Sequence, residues 1–146
     1  MIIKEMIEEN IPQIAEIEKA SFSKPWSEKS ITESFLSQSN IFFVAEINGK
    51  IVGYIGMTLS IDEGYILNVA VLPQYRKQGV GRKLVESLIS FGENNKLVFI
   101  TLEVRESNIP AISLYTQYGF SQVGKRKNYY SNPSEDALLL TKYFNS

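Results

Sequence analysis

Between Asn68 and Lys83 the chain reads NVAVLPQYRKQGVGRK: an alternating apolar run, a turn, two spaced glycines among cations, and then the start of a helical pattern. That order builds an anion cradle. The first N–H groups of a helix have no intrahelical acceptor, and Gly79 and Gly81 remove the side chains that would hold a phosphate at a distance. Arg76, Lys77, Arg82 and Lys83 surround the loop with positive charge. The chemistry this suits is the holding of a phosphorylated cofactor; the plainer reading is a glycine-bearing strand-to-helix loop with solvated cations. Neither nucleotide signature fits. A P-loop requires Ser or Thr after its lysine, but Leu84 follows Lys83, and Leu84 also stands where a dinucleotide fingerprint needs its third glycine.

Two further residues could move protons. Glu103 lies in the stretch LVFITLEV, where alternation puts Thr101, Glu103 and Arg105 on one face of a strand and Ile100, Leu102 and Val104 on the other. At the end of a strand beside a crevice, such a carboxylate can serve as general base toward an amine. Its structural alternative is a rim pair with Arg105. Tyr115 recurs with Ala111, Leu114 and Tyr118 at helical spacing, which reads as core packing. A buried phenol still needs a partner, and it can protonate a thiolate leaving group. Asn108, ahead of Ile109-Pro110, is placed to cap a helix, and its amide could bond a ligand instead or as well. The chain has no cysteine and no histidine. Thiolate nucleophiles, disulfides, Ser-His-Asp chemistry and most zinc or iron sites are thereby excluded, and no metal is expected. If the chain is an enzyme, its proton transfers use Glu, Asp, Tyr, Lys, water or the backbone, and an acyl transferase so equipped would have to pass its group directly.

The elements that position these residues follow from hydrophobic period and turn chemistry. Met1 to Met6 reads as an edge strand. Ile11, Ile14, Ala15 and Glu18 keep a helical period with Asn10 as cap, and after Phe22-Ser-Lys-Pro-Trp26 a second helix starts at the cap Ser27. Ile41 to Ile47 and Lys50 to Leu59 form a hairpin on Asn48-Gly49. Tyr65 to Val71 is a strand, Val80 to Glu93 a helix, Leu97 to Val104 a strand, and Pro110 to Gly119 a helix. Strands over Phe120 to Lys127 and Ala137 to Phe144 complete the order β-α-α-β-β-β-α-β-α-β-β, with an irregular stretch of about ten residues near Asn132 between them. This is an α/β (α+β) fold, a mixed sheet with about four helices packed on it. The 146 residues are expected to form a single domain, cytoplasmic and without a membrane span or signal peptide. A formal charge of −1 disfavours nucleic acid as a partner, although the loop cations keep that reading in view.

The loop pattern R-x-x-G-x-G, Arg76 to Gly81, resembles the acetyl-coenzyme A signature of the GNAT N-acetyltransferase superfamily, and the element order is that of the GNAT fold. The run LEVRESNIPAISLYTQYGF, Leu102 to Phe120, resembles the corresponding segment of RimI-type acetyltransferases, which acetylate the N-terminal alanine of a small-subunit ribosomal protein. So do Phe22 to Ser27, Leu67 to Val71, and Arg126 to Tyr130 followed by Glu135-Asp136-Ala137. The resemblance implies acetyl-CoA as the acetyl donor. Val69, Ala70 and Val71 then match the strand that holds pantetheine and the acetyl oxygen, and Lys77, Gln78, Gly79, Val80, Gly81 and Arg82 match the pyrophosphate loop. Asn108 matches a cofactor-contacting asparagine, Glu103 the proton acceptor and Tyr115 the proton donor. Tyr129 and Tyr130 match the pair lining the peptide site, with Asn68 beside them as a substrate-binding residue. The chain departs from the pattern at Tyr118, where leucine is common, and at Ser131 to Ser134, which lack the usual glycine. A lysine or small-amine acetyltransferase, or a coenzyme A-binding sensor without activity, would use the same cradle.

Overall fold

The computed structural model describes residues 1–144. Its strands are β1 (Ile2–Glu5), β2 (Asn40–Ile47), β3 (Lys50–Ser60), β4 (Glu63–Val71), β5 (Phe99–Arg105), β6 (Ser121–Tyr130) and β7 (Glu135–Tyr143). The helices are α1 (Ile11–Ser21), α2 (Glu28–Leu36), α3 (Val80–Asn94) and α4 (Ile109–Gln117), with short 3₁₀ turns at Glu8–Asn10 and Pro73–Tyr75. The element order is the expected one, and the seven strands form one mixed sheet in the order β1-β2-β3-β4-β5-β7-β6. No helix among the described residues is long and apolar enough to cross a membrane.

Local chemistry accounts for most boundaries. Asn48 and Gly49 both take positive φ, +50° and +80°, as a two-residue hairpin turn requires. Ser27 caps α2, its hydroxyl accepting the Ser30 N–H at 3.1 Å. Asn10 does not cap α1 with its side chain. It turns back to accept the Ile7 N–H at 2.9 Å, closing the 3₁₀ turn ahead of the helix. At the other end of the chain, β6 continues to Tyr130 and β7 begins at Glu135, so the irregular stretch near Asn132 shortens to residues 131–134. A ladder irregularity between Arg126 and Tyr130 makes this possible: Asn128 takes φ +53° and its N–H is bonded by the Asp136 carboxylate at 2.9 Å.

The helices cover both faces of the sheet. Tyr54 on β3 points to α1 and bonds Glu18, whereas a Cβ on the neighbouring Gly53 would stand 3.0 Å from Val80 of α3. Adjacent strand residues face opposite ways, so α1 and α3 lie on opposite faces. Val44, Val52, Ile55, Met57, Leu84, Leu88 and Ile100 fill the core between them. Ile100 approaches Gly92 of α3, which places Leu102 and Val104 on the α3 face and Thr101, Glu103 and Arg105 on the α1 face.

One departure from regular pairing shapes the molecule. β4 and β5, the only parallel neighbours among the described strands, pair over Glu63–Tyr65 and Phe99–Thr101 and then part. A bulge at Leu67, opposite the Gly56–Met57 step of β3, bends β4 just beyond the last pair. Gly56 is packed too closely to carry a side chain, since its Cβ would stand 2.3 Å from the Phe42 ring. Gly56→Ala is therefore expected to destabilise the fold by about 1–3 kcal/mol, measured by chemical denaturation; an unchanged denaturation midpoint would show that Phe42 yields freely.

Candidate active site

The parting of the strands leaves the edge of β4 open. The Leu72 N–H bonds Val52 O at 2.8 Å, so by the alternation of an antiparallel ladder Ala70 and Asn68 also bond β3. Val69 and Val71 then turn their N–H and C=O groups to the gap. The Val71 carbonyl is taken by Arg76, whose Nε donates to it at 3.0 Å and whose Nη2 reaches Ser21 at 3.4 Å. The Val69 and Val71 N–H groups face a space where a ligand's oxygens could bond them.

Beyond β4 the loop reaches the N-terminus of α3. Arg76 donates its N–H to Pro73 O and Lys83 to Gly79 O, but among the described residues no N–H from Lys77 to Arg82 bonds a backbone acceptor. Gly79 is the residue before the helix, with φ +84°, and nothing lies within 4 Å of where its Cβ would stand. Lys77 takes φ +63° beside it. These exposed N–H groups in a turn that opens a fifteen-residue helix form a nest of the kind that can take a phosphate. Of the four cations, Arg76 is committed to Val71, Arg82 leans on Gln117 at 3.4 Å and Lys83 on Glu86 at 3.5 Å. Lys77 makes no ion pair among the described residues.

Glu103 does not pair with Arg105. Its Oε1 lies 3.4 Å from Arg126 Nε, and its Oε2 is buried without a hydrogen-bond partner among the described residues. Arg105 instead bonds Glu135 at 3.2 Å and the carbonyls of Ser131 and Pro133, and its guanidinium stacks over Tyr130 at 4.4 Å. Glu135 also accepts the Ser107 N–H at 2.6 Å, so this acid and Asp136 both organise the β6–β7 hairpin. Ser107 and Arg105 hold the Glu135 carboxyl below its usual range. Tyr129 and Tyr130 meet edge to face at 5.0 Å. The Glu103 carboxylate beside Tyr129, more than burial, pushes that phenol up; for Tyr130 burial comes first and Glu103 second. Thus Glu103, Arg126, Tyr129 and Tyr130 form one cluster. Next to it, an open groove of about 550 Å³ runs between the Phe22–Trp26 loop and the 131–134 hairpin, with Asn68 and Arg105 in its lining.

Tyr115 belongs to α4, whose Leu114 lies 3.7 Å from where a Gly81 Cβ would stand, beside the first turn of α3. Its ring is buried edge-on against Phe120 at 5.2 Å, and its hydroxyl has no partner among the described residues. Burial alone raises its pKa well above the tyrosine range, so it holds its proton. Asn108 caps α4, accepting the Ala111 N–H at 3.3 Å and leaving its amide N–H groups free. Asn68 has a prior engagement: its amide donates to Glu18 and to Tyr54 at 3.4 and 3.3 Å. Glu18, buried beneath the groove, is the site residue that sequence reading missed. Its place in the apolar stripe with Ile11, Ile14 and Ala15 was the available signal.

An open strand edge, an anion nest and an orphaned buried phenol fit a pantetheine-linked phosphate ligand. Known proteins point the same way. Residues 11–120 match the acetyltransferase (GNAT) family, and the chain belongs to it. The [ribosomal protein bS18]-alanine N-acetyltransferase of Escherichia coli K12 is 35% identical over 133 residues, 90% of this chain and 89% of that protein. A Bacillus subtilis protein provisionally given the same name is 36% identical over 139 residues, 94% and 92% of the two chains. The crystal structure of the E. coli ribosomal-protein-S18-alanine N-acetyltransferase matches with a TM-score of 0.93 at 33% identity, covering 99% of this chain and 94% of that one. This protein is an N-acetyltransferase with acetyl-CoA as its acetyl donor.

Because Gly79 needs its left-handed conformation and has free space in front of it, Gly79→Ala should cost the fold about 1–2 kcal/mol and weaken coenzyme A binding by about tenfold or more. Calorimetric titration with coenzyme A checks this, and an unchanged Kd in the folded variant would remove the nest from cofactor binding.

Proposed function

We propose that this chain, working as one cytoplasmic domain, acetylates the N-terminal α-amine of a protein, specifically the N-terminal alanine of a small-subunit ribosomal protein. The observation that carries this reading is Glu103. A carboxylate with one oxygen against Arg126 and the other buried and unbonded faces the groove side of the sheet, next to the open edge of β4. The groove is walled by two loops and suits an extended peptide end, and the relatives named for the same substrate share nearly the whole chain.

Bound acetyl-CoA supplies the acetyl group and a thiol leaving group. The N–H groups of Gln78 to Arg82 hold its phosphates, with Lys77 and Arg82 as flanking charge, and Ala70 packs beneath the strand edge. The Val69 and Val71 N–H groups bond carbonyl oxygens along β4; a single such donor to a developing oxyanion is worth about 10²–10³ in rate. Asn108 offers its free amide at the start of α4. A protein N-terminus titrates near 7.7–8.0 and is largely charged at neutral pH, so Glu103 Oε2 takes the amine proton, directly or through a water. Tyr115 Oη keeps a proton for the departing sulfur. Tyr129 and Tyr130 line the approach of the peptide. The rest of the acceleration comes from orientation within a ternary complex. Transfer needs no acyl-enzyme, and no nucleic acid or membrane takes part.

Glu103→Gln is expected to lower kcat by about 10²–10⁴ with coenzyme A affinity unchanged; wild-type turnover at neutral pH would remove Glu103 as base. Tyr115→Phe should slow transfer by the same factor at pH 6.5 and pH 9, because burial keeps the phenol protonated throughout that interval. A loss that vanishes at one end would return Tyr115 to packing alone. Substrate class is tested with paired peptides, one beginning with the ribosomal protein's free alanine and one blocked at its N-terminus but carrying lysines. Mass spectrometry should place the acetyl group on the free N-terminus alone; transfer to lysine, or to neither peptide, overturns the reading.

A further inference from the structure

Beneath the groove lies a charge that the reaction does not use. Glu18 of α1 is 1% exposed, and three donors from three separate elements converge on its carboxylate. Oε1 accepts the Trp26 N–H at 2.8 Å, and Oε2 accepts the Tyr54 hydroxyl of β3 and the Asn68 amide of β4. Tyr54 is itself 1% exposed, and burial first, then Glu18, drives its phenol far above the tyrosine range, so it stays a donor. No cation pairs with Glu18 among the described residues. A buried carboxylate without a counter-ion is costly unless hydrogen bonds to its charged form satisfy it. A carboxylate at this position therefore provides something that packing with an apolar side chain would not.

What it holds is a loop whose backbone has little else to hold it among the described residues, the half-buried Trp26 ring being what packs against the core. Between the end of α1 and the Ser27 cap of α2, the segment Ser23–Trp26 makes a single hydrogen bond among the described residues, that of Trp26 to Glu18. Pro25 has no N–H, and Phe22 and Lys24 are exposed. The loop nevertheless forms one wall of the groove, and Asn68, at the mouth where β4 leaves β5, is fixed by the same carboxylate.

We propose that Glu18 is a positioning residue for the peptide substrate: its carboxylate clamps the Trp26 loop to Asn68 on β4 and so sets the width of the groove that receives the peptide end. This rests on the peptide-acceptor reading above. Glu18 touches neither the nest at Gln78–Arg82 nor Glu103, so its effect falls on the acceptor and not on the cofactor. The donors are arranged for a carboxylate: glutamine at this position can accept at only one end and would turn its NH₂ toward the donors at the other.

The test uses the full-length enzyme and two readouts. In Glu18→Gln the KM for the alanine-ended peptide should rise by about tenfold or more, the scale of one lost hydrogen bond to a charged group, while the KM for acetyl-CoA stays within about twofold. Trp26 is the sole tryptophan of the chain, so its fluorescence reports the loop directly. Glu18→Gln should shift its emission to the red and increase quenching by acrylamide, whether or not any peptide is present. Tyr54→Phe keeps the volume and removes one donor; it should move both readouts in the same direction by less, and it carries the test if Glu18→Gln does not fold. Wild-type quenching together with wild-type peptide KM in a folded variant overturns the clamp, as does an equal rise in both KM values. A wild-type enzyme that ignores the peptide would instead overturn the choice of substrate, and the Trp26 signal would still decide the clamp.

Discussion

The separation of β4 from β5 after three paired residues is the constraint on which the rest of the structure depends. A parallel pair is normally joined along its length, and unbonded N–H and C=O groups at an interior edge are costly unless water or a ligand takes them. Here the bulge at Leu67 turns β4 away, and β5 is satisfied on its other side by β7 over seven paired residues, Phe99–Arg105. The sheet thus remains continuous while one edge stays open. Every site element emerges at the mouth of that opening: the turn into α3 follows β4, Glu103 lies near the end of β5, and α4 follows β5. This is the position at the carboxyl ends of strands where open α/β sheets bind ligands.

Electrostatics divides the site unevenly. The cations gathered by the loop pattern look in sequence like a phosphate clamp, yet three of them are engaged by Val71, Gln117 and Glu86. Under the proposed function, oriented backbone N–H groups are left as the main ligands for an anion, with exposed Lys77 beside them. Such a nest selects by shape and distance, since its donors cannot swing as lysine side chains do. Arg76 acts on the scaffold instead. By joining Val71 to Ser21 it ties the open end of β4 to α1, the helix that carries Glu18.

Much of this was legible in the residues, and the parts that were not share a cause. Asn48-Gly49, Ser27 and the glycine loop act through their own backbone, so local sequence reports them. The alternation around Glu103 correctly separated the two faces of β5, but not the choice between Arg105 and Arg126 as its neighbour. That choice is made by β6, whose registration on β7 depends on the irregularity at Asn128. The same irregularity hid the last residues of β6, Asn128 to Tyr130, which lack a strand's apolar alternation. Glu18 was hidden differently: its place in the apolar helical stripe points toward the core, but its three donors are drawn from elsewhere in the chain and meet it only in space.

The absence of histidine gives the arrangement its logic. A histidine can take a proton from one partner and return it to another, and its charge changes in the physiological range. In the proposed reaction two groups share that work and never exchange roles. Glu103 lies on the α1 face with an unbonded oxygen toward the acceptor, and Tyr115 comes from α4 beside the first turn of α3 with a phenol that burial keeps protonated. The two groups come from different elements, β5 and α4, so the acceptor amine and the leaving thiol are served by separate parts of the chain. Burial keeps this phenol protonated through neutrality, so its own ionisation does not shape the pH dependence there, whereas a protein N-terminus titrates at about 7.7–8.0. Positioning then matters more than tuning: the site gains by fixing where the peptide end lies, and the buried carboxylate under the groove is placed to do that.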